Sequence, residues 1–496
     1  MRKTIATLAL AALPALLLSA CNGSNAGGSS VAPLPNAPNV VSHHGHGRAH
    51  RNDNGPQDLH SGGATFPAYG YNQGNQPVGY YYNAQQPPGA GSIFYAVPTT
   101  GTVYYCLTGS GAGRHAFEDY MDSSAPPTGP CAPLGATATG FGGRSDPLDF
   151  VGSDVAMPST EYTQYKATRE PSSGTNWGEP FEFPTFGGPI VFGYRSKDFG
   201  GNKKVKLSTW TYCAIANGTI GDWNDPAITA DNGGHSVTGG NSESITFYFR
   251  SDSSGTSYLF TNKLANTTSG CNQTFNAPYN TAPYGYGSRS AAWTFGVNMV
   301  WPGPGSSNDP NARFVGENGN PGVLAAIQST PFGTGYVEGA WAKSANPPIA
   351  QAWLLNGKVN GRPEFISPTN QAAVTKALAK VTSANITYGE GSDEQPLGTS
   401  TPWCILYIDP SKFVSPPGGT YPIVGFSYWL FYGNNNGVHV SDKETLVKYI
   451  ASAPANKVVN KLEYAPLSAS IHTAITNALN GIANGSGQGS GQPCLQ

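Results

Sequence analysis

Charged residues are scarce in this chain, and the two signs almost cancel. Only 11% of the 496 residues are Asp, Glu, Lys or Arg, and the formal net charge at pH 7 is −2. A protein that binds nucleic acid needs a basic face, so this composition argues against a nucleic-acid partner. It does not argue against a small anionic ligand, because a few local donors can hold one.

Long hydrophobic runs are also lacking. The apolar run at residues 5–18 is shorter than the ~20 residues that a membrane-spanning helix needs, and no later stretch is long and apolar enough. Two basic residues precede this run, as they do in an export signal. The signal ends in LSAC at residues 18–21, which resembles a bacterial lipobox, where Cys21 becomes the lipidated first residue of the mature protein. The alternative is an ordinary signal peptide that is cut near Ala20.

A strand, a polar turn and a helix are predicted at residues 247–261, which read FYFRSDSSGTSYLFT. The β-branched and aromatic residues 245–249 predict the strand, and apolar residues return at helical spacing from Tyr258 to Leu264. The polar turn offers Ser or Thr as the N-cap of the helix. The first N–H groups of a helix are unpaired, and the helix dipole adds partial positive charge there. With Arg250 alongside, this stretch predicts an anion-binding site.

This turn resembles one element of the phosphate-binding proteins that serve bacterial phosphate ABC transporters. RSDSSGTS followed by Phe260 and Thr261 is similar to their RxDGSGT…FT motif, with Ser253 where the family usually has Gly. Five further blocks match in the family's order, the last of them after a helix-like segment at residues 320–330. They are GATFP (63–67), GSGAG (109–113), DFVGSD (149–154), GDWNDPAI (221–228) and GYVE (335–338). The resemblance covers most of residues 61–479, with insertions between the blocks.

The resemblance implies a two-lobed α/β fold of the type 2 periplasmic-binding-protein-like class, with a ligand cleft between lobes that are joined by crossover hinge strands. The strand–turn–helix units themselves favour parallel sheet covered by helices. Residues 181–194 are predicted to cross between the lobes, and residues 401–408 are predicted to be the returning strand. The predicted divisions are a lipoprotein signal peptide (1–21), a flexible His/Gly/Ser-rich tether (22–56), lobe 1 in two parts (57–193 and 400–479), lobe 2 (194–399) and a Gly/Ser-rich tail (480–496).

The resemblance also implies a phosphate site between the lobes. Its implied ligands are Thr65, the backbone N–H of Phe66, Ser110, Asp154, Arg250, Ser254, Gly255 and Thr256. Helix-start amides and hydroxyls can donate short hydrogen bonds to phosphate oxygens, and an arginine adds a charged planar fork. Asp154 suits this site if it accepts the proton that phosphate retains at neutral pH, and the alternative is that it caps a helix. Asp252 either holds Arg250 or caps a helix.

These features predict a solute-binding protein outside the cytoplasm that captures inorganic phosphate and delivers it to the membrane permease of an ABC-type importer. It is predicted to be a monomer, periplasmic or at the cell surface, anchored through a lipid on Cys21, and without catalytic residues, cofactor or metal. Two alternatives remain. A phosphatase-like hydrolase would need an activated nucleophile or a metal cluster, and a surface sensor or adhesin would reuse the fold for another purpose.

The tether contains four histidines, at positions 43, 44, 46 and 50. A His tract can bind metal, but nothing rigid holds these four in a ligand geometry. The simpler interpretation is a polar tether with adventitious metal affinity.

Cysteine is another scarce residue, with seven in the whole chain. Apart from Cys21 they form an even set, which favours disulfides in an exported protein, and 15 complete pairings are possible. Their spacing suggests the pairs Cys106–Cys131 and Cys213–Cys271, each of which encloses an insertion relative to the family that the chain resembles. Cys404 would then pair with Cys494.

Overall fold

The structure of the chain is a computed structural model that describes seven segments. They are residues 58–75, 87–119, 148–202, 204–267, 297–302, 313–482 and 491–496. The predicted signal with Cys21, the tether with its His tract, and the predicted disulfide partners Cys131 and Cys271 lie outside the described residues. Within these segments, no helix has the length and apolar character that crossing a membrane requires.

Strands and helices alternate along the described segments. The strands are β1 (Leu59–Gly63), β2 (Val103–Leu107), β3 (Phe150–Ser153), β4 (Pro180–Tyr194), β5 (Lys206–Leu207), β6 (Thr246–Arg250), β7 (Phe314–Glu317), β8 (Gly333–Glu338), β9 (Ala350–Gln351), β10 (Trp353–Val359), β11 (Arg362–Ile366), β12 (Ile386–Tyr388), β13 (Leu406–Ile408), β14 (Val424–Tyr432) and β15 (Ala465–Pro466). The helices are α1 (Ala68–Asn72), α2 (Ile93–Ala96), α3 (Ser110–Asp119), α4 (Ser159–Arg169), α5 (Thr209–Ala216), α6 (Pro226–Asp231), α7 (Gly255–Ala265), α8 (Gly319–Ser329), α9 (Gly339–Ser344), α10 (Gln371–Leu378), α11 (Val440–Ile450), α12 (Ala453–Lys461) and α13 (Ala469–Leu479).

One large sheet organises the described part of the chain. Its strand order is β2-β1-β3-β14-β4-β8-β6-β7, and β9 and β15 also pair with β4. At one end β1 pairs in parallel with β2 and β3, and at the other end β6 pairs in parallel with β7 and β8. We call the side with β1, β2 and β3 the first lobe and the side with β6, β7 and β8 the second lobe. Each lobe is therefore a parallel sheet whose strands lead into helices.

The long strand β4 belongs to both lobes. Its residues 180–189 pair with β14, and its residues 190–194 pair with β8, in both cases antiparallel. All fifteen residues are buried, which accounts for the near-continuous apolar sequence. Pro184 fits within this strand because the pairing with β14 shifts register next to it, at a position where Thr185 has no opposite residue. The predicted crossing segment is thus one continuous strand.

The prediction for the returning strand is confirmed in part, because residues 406–408 form a strand and Ile405 makes a parallel bridge with Glu182 in the first-lobe half of β4. Pro402–Cys404 forms a 3₁₀ turn, and the strand after it, β13, pairs with β12 in a separate two-stranded sheet. The strand that enters the large sheet on the first-lobe side is β14, which pairs with β3 and β4. Its sequence, VGFSYWLFY, is buried along its whole length. A strand covered on both faces needs this kind of continuous apolar run.

A disulfide and backbone hydrogen bonds hold residues 494–496 against the rest of the fold. The predicted disulfide Cys404–Cys494 is present. Beyond it, the N–H of Asn435 donates to the Gln496 carbonyl at 2.8 Å, and the N–H of Gln496 donates to the Gly433 carbonyl at 2.9 Å. Cys106 and Cys213 are also disulfide-bonded. Their pairing with Cys131 and Cys271 stays a prediction, because those two residues lie outside the described ones.

Candidate functional site

Two helix starts from opposite lobes meet between the lobes. Helix α3 begins at Ser110 after β2, and helix α7 begins at Gly255 after β6. A Cβ atom built on Gly255 would lie only 2.5 Å from Asp154 Cβ and 2.6 Å from Ser110 Oγ. A side chain at residue 255 would therefore collide with the first lobe, and glycine permits this close approach.

A second contact between the lobes lies beside the first. The N–H of Gly111, in the first turn of α3, donates to the Ser253 carbonyl at 3.0 Å. A Cβ atom on Gly111 would lie 2.3 Å from Ser253 Oγ, so the first turn of α3 packs closely against the turn before α7. Ser253 is the residue at which the sequence departs from the motif that it resembles. Here its side chain packs against the opposite lobe.

Arg250 carries the positive charge of the cleft, and it is almost fully buried. Its guanidinium binds the carboxylate of Asp252 through Nε, at 2.6 Å, and through Nη2. Nη1 donates to Thr256 Oγ1 at 3.1 Å. The backbone N–H of Gly319, at the start of α8, donates to the same Asp252 carboxylate at 3.0 Å. Asp252 therefore fills both roles that the sequence left open, because it holds Arg250 and also accepts from a helix start.

The start of α7 offers backbone donors to the cleft. Ser254 is the N-cap, and its hydroxyl accepts from the N–H of Ser257 at 3.1 Å. Helix geometry leaves the N–H groups of Gly255 and Thr256 without an acceptor inside α7. These two N–H groups, at the positive end of the helix dipole, suit an anion.

The turn after β1 brings Thr65 and Phe66 to the same place. The indole N–H of Trp341 donates to the Thr65 carbonyl at 2.7 Å. Because the C=O and N–H of a trans peptide point in opposite directions, the Phe66 N–H points away from Trp341. Tyr464 donates its hydroxyl to the Phe66 carbonyl at 2.9 Å and so fixes the next peptide.

Asp154, which directly follows β3, is an acidic residue of the cleft. Its Oδ2 accepts from the Ser110 hydroxyl at 3.4 Å, and its N–H donates to the same hydroxyl at 3.2 Å. Its Oδ1 is buried and has no hydrogen-bond partner within the described residues. Burial raises the pKa of Asp154 to about 7, and the nearby Ser427 hydroxyl and the charge of Arg250 only partly oppose this effect. The carboxyl can thus either accept or donate a proton near neutral pH.

Asn320 is a buried residue of the cleft for which the sequence suggested no role. Its side-chain Nδ2 donates to Thr65 Oγ1 and Thr256 Oγ1, and its Oδ1 accepts from the N–H of Glu338. The sequence offered one clue to such a role, since Asn320 is the first residue of the predicted helix-like segment and lies in the glycine-rich stretch GNPG (319–322). Its partners are far away in the sequence, so their identity was not accessible from that pattern.

Glu338 is a second buried carboxyl near the cleft. It accepts from the N–H groups of Ala340 and Trp341 and from the hydroxyl of Tyr464. Burial raises its pKa to about 8, and the neighbouring Asp154 contributes to the rise. The residue belongs to the GYVE block, for which the sequence gave no function.

All eight residues predicted as ligands line this one region between the lobes. Thr65, Phe66, Ser110 and Asp154 come from the first lobe, while Arg250, Ser254, Gly255 and Thr256 come from the β6–α7 connection. The close approach of Gly255 to Ser110 and Asp154, and the bonds of Asn320 to Thr65 and Thr256, link the two groups. Chemically, the eight residues combine hydroxyl, backbone and guanidinium donors with one carboxyl, that of Asp154.

A family described as the PBP superfamily domain matches residues 99–452, which is more than half of the chain. The chain belongs to the PBP superfamily. The matched segment contains six of the eight cleft residues, and Thr65 and Phe66 precede it.

Relatives of this PBP-superfamily chain include proteins named for phosphate binding. Phosphate-binding protein PstS of Methanocaldococcus jannaschii is 28% identical over 276 residues, which cover 54% of this chain and 57% of that protein. Phosphate-binding protein PstS 2 of Mycobacterium tuberculosis is 29% identical over 350 residues, which cover 68% and 76%. The resemblance predicted from the sequence blocks is thereby confirmed.

Solved structures of two phosphate-binding proteins have a similar fold. A high affinity periplasmic phosphate-binding protein, PfluDING, bound with phosphate, has a TM-score of 0.57 and 20% identity, with 88% of this chain and 96% of that chain covered. A phosphate-binding protein from Stenotrophomonas maltophilia has a TM-score of 0.55 and 19% identity, with 84% and 93% covered. At such identities the likeness concerns the fold. It confirms the predicted two-lobed type 2 α/β architecture.

Proposed function

We propose that this PBP-superfamily protein captures inorganic phosphate and delivers it to the membrane permease of an ABC-type phosphate importer. The observation that carries the proposal is that one buried cleft contains both hydrogen-bond donors for an anion and a carboxyl acceptor. Donors converge from Arg250, the start of α7 and the hydroxyls of Thr65 and Thr256, beside the unpartnered carboxyl oxygen of Asp154. An anion that still carries a proton satisfies both features. The relatives named for phosphate binding support the same ligand.

In this proposal each lobe contributes half of the ligand shell. The hydroxyl of Thr65, the N–H of Phe66, Ser110 and Asp154 bind from the first lobe. The second lobe contributes Arg250, Ser254, Gly255 and Thr256, all on the turn into α7. Because the two sets lie on different lobes, phosphate stabilises the closed arrangement over an open one, which is the usual logic of hinge closure around a ligand.

The remaining parts of the proposal concern the chain outside the cleft. Lobe 1 comprises residues 57–193 and 400–479, and lobe 2 comprises residues 194–399. The protein is exported, acts as a monomer in the periplasm or at the cell surface, and is held at a membrane by a lipid on Cys21. No catalytic residue, cofactor or metal takes part.

Isothermal titration with phosphate, run beside a phosphatase assay on a chromogenic phosphate ester, tests this function. Tight binding without ester hydrolysis is the expected result. Hydrolysis would favour the phosphatase-like alternative, and absence of phosphate binding would favour a sensor or adhesin that reuses the fold.

Arg250→Ala is expected to weaken phosphate binding at least tenfold. Loss of one partner of a buried, hydrogen-bonded charge pair typically costs ~2–5 kcal/mol of binding free energy. Arg195→Ala is the matched control, because Arg195 makes the same two-bond contact with Asp198 at 2.9 and 2.7 Å but is not one of the cleft residues. Titration of both variants, with circular dichroism for the fold, measures the difference. Equal affinities in the two folded variants would rule out Arg250 as a ligand.

Cys21→Ser is expected to move the protein from the membrane fraction to the soluble fraction. The serine hydroxyl cannot take the thioether-linked lipid that the predicted anchor requires, while the rest of the signal is unchanged. Fractionation of expressing cells and labelling with radioactive fatty acid check this prediction. A wild-type protein that takes up no label would contradict the anchor.

A further inference from the structure

The amide side chain of Asn320 joins residues of both lobes at the cleft. Its Nδ2 donates to Thr65 Oγ1 at 3.0 Å and to Thr256 Oγ1 at 3.2 Å. Its backbone N–H also donates to Thr65 Oγ1, at 3.0 Å. Asn320, Thr65 and Thr256 are all buried, so bulk water does not compete for these bonds.

The direction in which this amide points is fixed by Glu338. The backbone N–H of Glu338 lies 3.0 Å from Asn320 Oδ1. A backbone N–H can only donate, so the amide oxygen must occupy this position and the NH₂ group must face the two hydroxyls. One N–H of that group is then directed to Thr65 and the other to Thr256.

These contacts determine what the two hydroxyls can do. A threonine hydroxyl has one proton to donate and two lone pairs that accept. Thr65 Oγ1 accepts two bonds from Asn320, and Thr256 Oγ1 accepts one from Asn320 and one from Arg250. Within the described part of the chain, neither hydroxyl has a protein acceptor for its own proton. Both protons are left to be donated to a bound molecule.

We infer that Asn320 is a positioning residue, which turns the hydroxyls of Thr65 and Thr256 into donors directed at the bound anion. This inference rests on the proposed function, because it takes phosphate as the ligand. Because both hydroxyls donate, an unprotonated oxygen of the phosphate is favoured beside them. The protonated oxygen of phosphate must then lie elsewhere, at the acceptor Asp154. Asn320 thereby fixes how a partly protonated phosphate is oriented in the cleft.

Two substitutions of Asn320 separate this role from a purely structural one. Asn320→Asp keeps the oxygen that accepts from Glu338, but it replaces the NH₂ group by an acceptor, to which the hydroxyls would donate instead. Asn320→Ala removes both functions. Phosphate titration should therefore give a dissociation constant raised ~100-fold or more by Asn320→Asp and only ~10-fold by Asn320→Ala. A structural role predicts the opposite order, because only the aspartate retains the bond to Glu338.

Asn318→Asp is the matched control for the added charge. Asn318 is the N-cap of the same helix, and its side chain makes no capping hydrogen bond. This variant should bind phosphate within ~3-fold of the wild type, since Asn318 is half-buried, is not one of the cleft residues, and Asp suits an N-cap as well as Asn does. A further measurement uses Thr65→Val, which removes one of the two oriented hydroxyls. In that background Asn320→Ala should weaken binding less than it does in the wild type.

The possible outcomes distinguish this inference from the proposed function. A wild-type protein that binds no phosphate would overturn both. If the wild type binds phosphate and Asn320→Asp binds it as tightly as Asn320→Ala or as Asn318→Asp, only the inference is wrong. Loss of folding in both Asn320 variants would assign the residue a structural role and would also overturn the inference.

Discussion

Gly255→Ala is expected to lower the phosphate affinity by ~100-fold or more, which is the effect of ~3 kcal/mol of overpacking. The added methyl group would lie 2.5 Å from Asp154 Cβ and 2.6 Å from Ser110 Oγ, both on the opposite lobe. The backbone at residue 255 lies outside the left-handed region, so alanine brings no strain of its own. The free protein can relieve the collision by opening its lobes. The closed, phosphate-bound form cannot relieve the collision in this way. The free energy of overpacking therefore weakens phosphate binding.

Gly322→Ala is the control for this experiment. Gly322 also lies in the first turn of a helix, α8, but a Cβ atom there would first meet Glu317 Cβ at an ordinary 3.6 Å. Calorimetric titration gives the affinities, and small-angle scattering with and without phosphate shows whether the lobes close. Equal affinity of Gly255→Ala and Gly322→Ala would mean that Gly255 does not approach Asp154 in the bound state.

Asp154→Asn is expected to remove most of the preference for phosphate over sulfate. Phosphate keeps a proton that Asp154 can accept, whereas sulfate has none and would meet the charged carboxylate in a buried cleft. Sites that bind a ligand's hydroxyl can reject the analogue that lacks it by as much as ~10⁴–10⁵. The amide of the variant donates to either anion, so its sulfate affinity should be at least ~10-fold above that of the wild type at pH well above 7.

The raised pKa of Asp154 gives this prediction a pH dependence. Below its pKa of about 7 the wild-type carboxyl carries a proton that it can donate to sulfate, and above that pH it is an anion. Wild-type affinity for sulfate should therefore increase as the pH falls through about 7. Asparagine does not titrate, so the sulfate affinity of Asp154→Asn should stay nearly constant over the same range.

Competition titrations of both anions on either side of this pH measure the effect. Asp231→Asn is a suitable control, because Asp231 is another carboxyl whose pKa is raised by burial, and it accepts from Ser208 and Thr211 outside the cleft. If the wild type binds sulfate as well as phosphate at high pH, Asp154 serves only to organise the turn after β3.

The β6–α7 connection shows how far local sequence reaches. The β-branched and aromatic residues before Arg250 form β6, and Ser254 caps α7 as the Ser/Thr pattern predicted. Both outcomes depend on neighbours within a few positions, such as the cap's bond to Ser257. The two-lobed fold and the set of cleft residues were predicted from the six sequence blocks that match the family in order, and not from local patterns alone.

The strand β14 shows what the sequence patterns did not predict, which is the order of strands in the sheet. The segment VGFSYWLFY, which is apolar apart from Ser427, is compatible with a buried strand or a buried helix segment, and nothing local states which strands will lie beside it. Residues 401–408 were predicted as the returning strand from their apolar and aromatic residues, and that pattern did not state which strand would pair with them. Only the tertiary structure showed that β14 lies between β3 and β4, whereas β13 pairs with β12.

The sequence by itself determined the strand-to-helix turn, its capping serine and the kind of side chains that an anion site needs, because these depend on short-range hydrogen bonds and on composition. The tertiary structure decided which distant groups share a proton or a charge. Asn320 bonds to Thr65 across 255 positions of the chain, and Gly255 packs on Asp154 through the closure of the lobes. Such contacts depend on the order of strands in the sheet, which brings helix starts together whatever their separation in sequence.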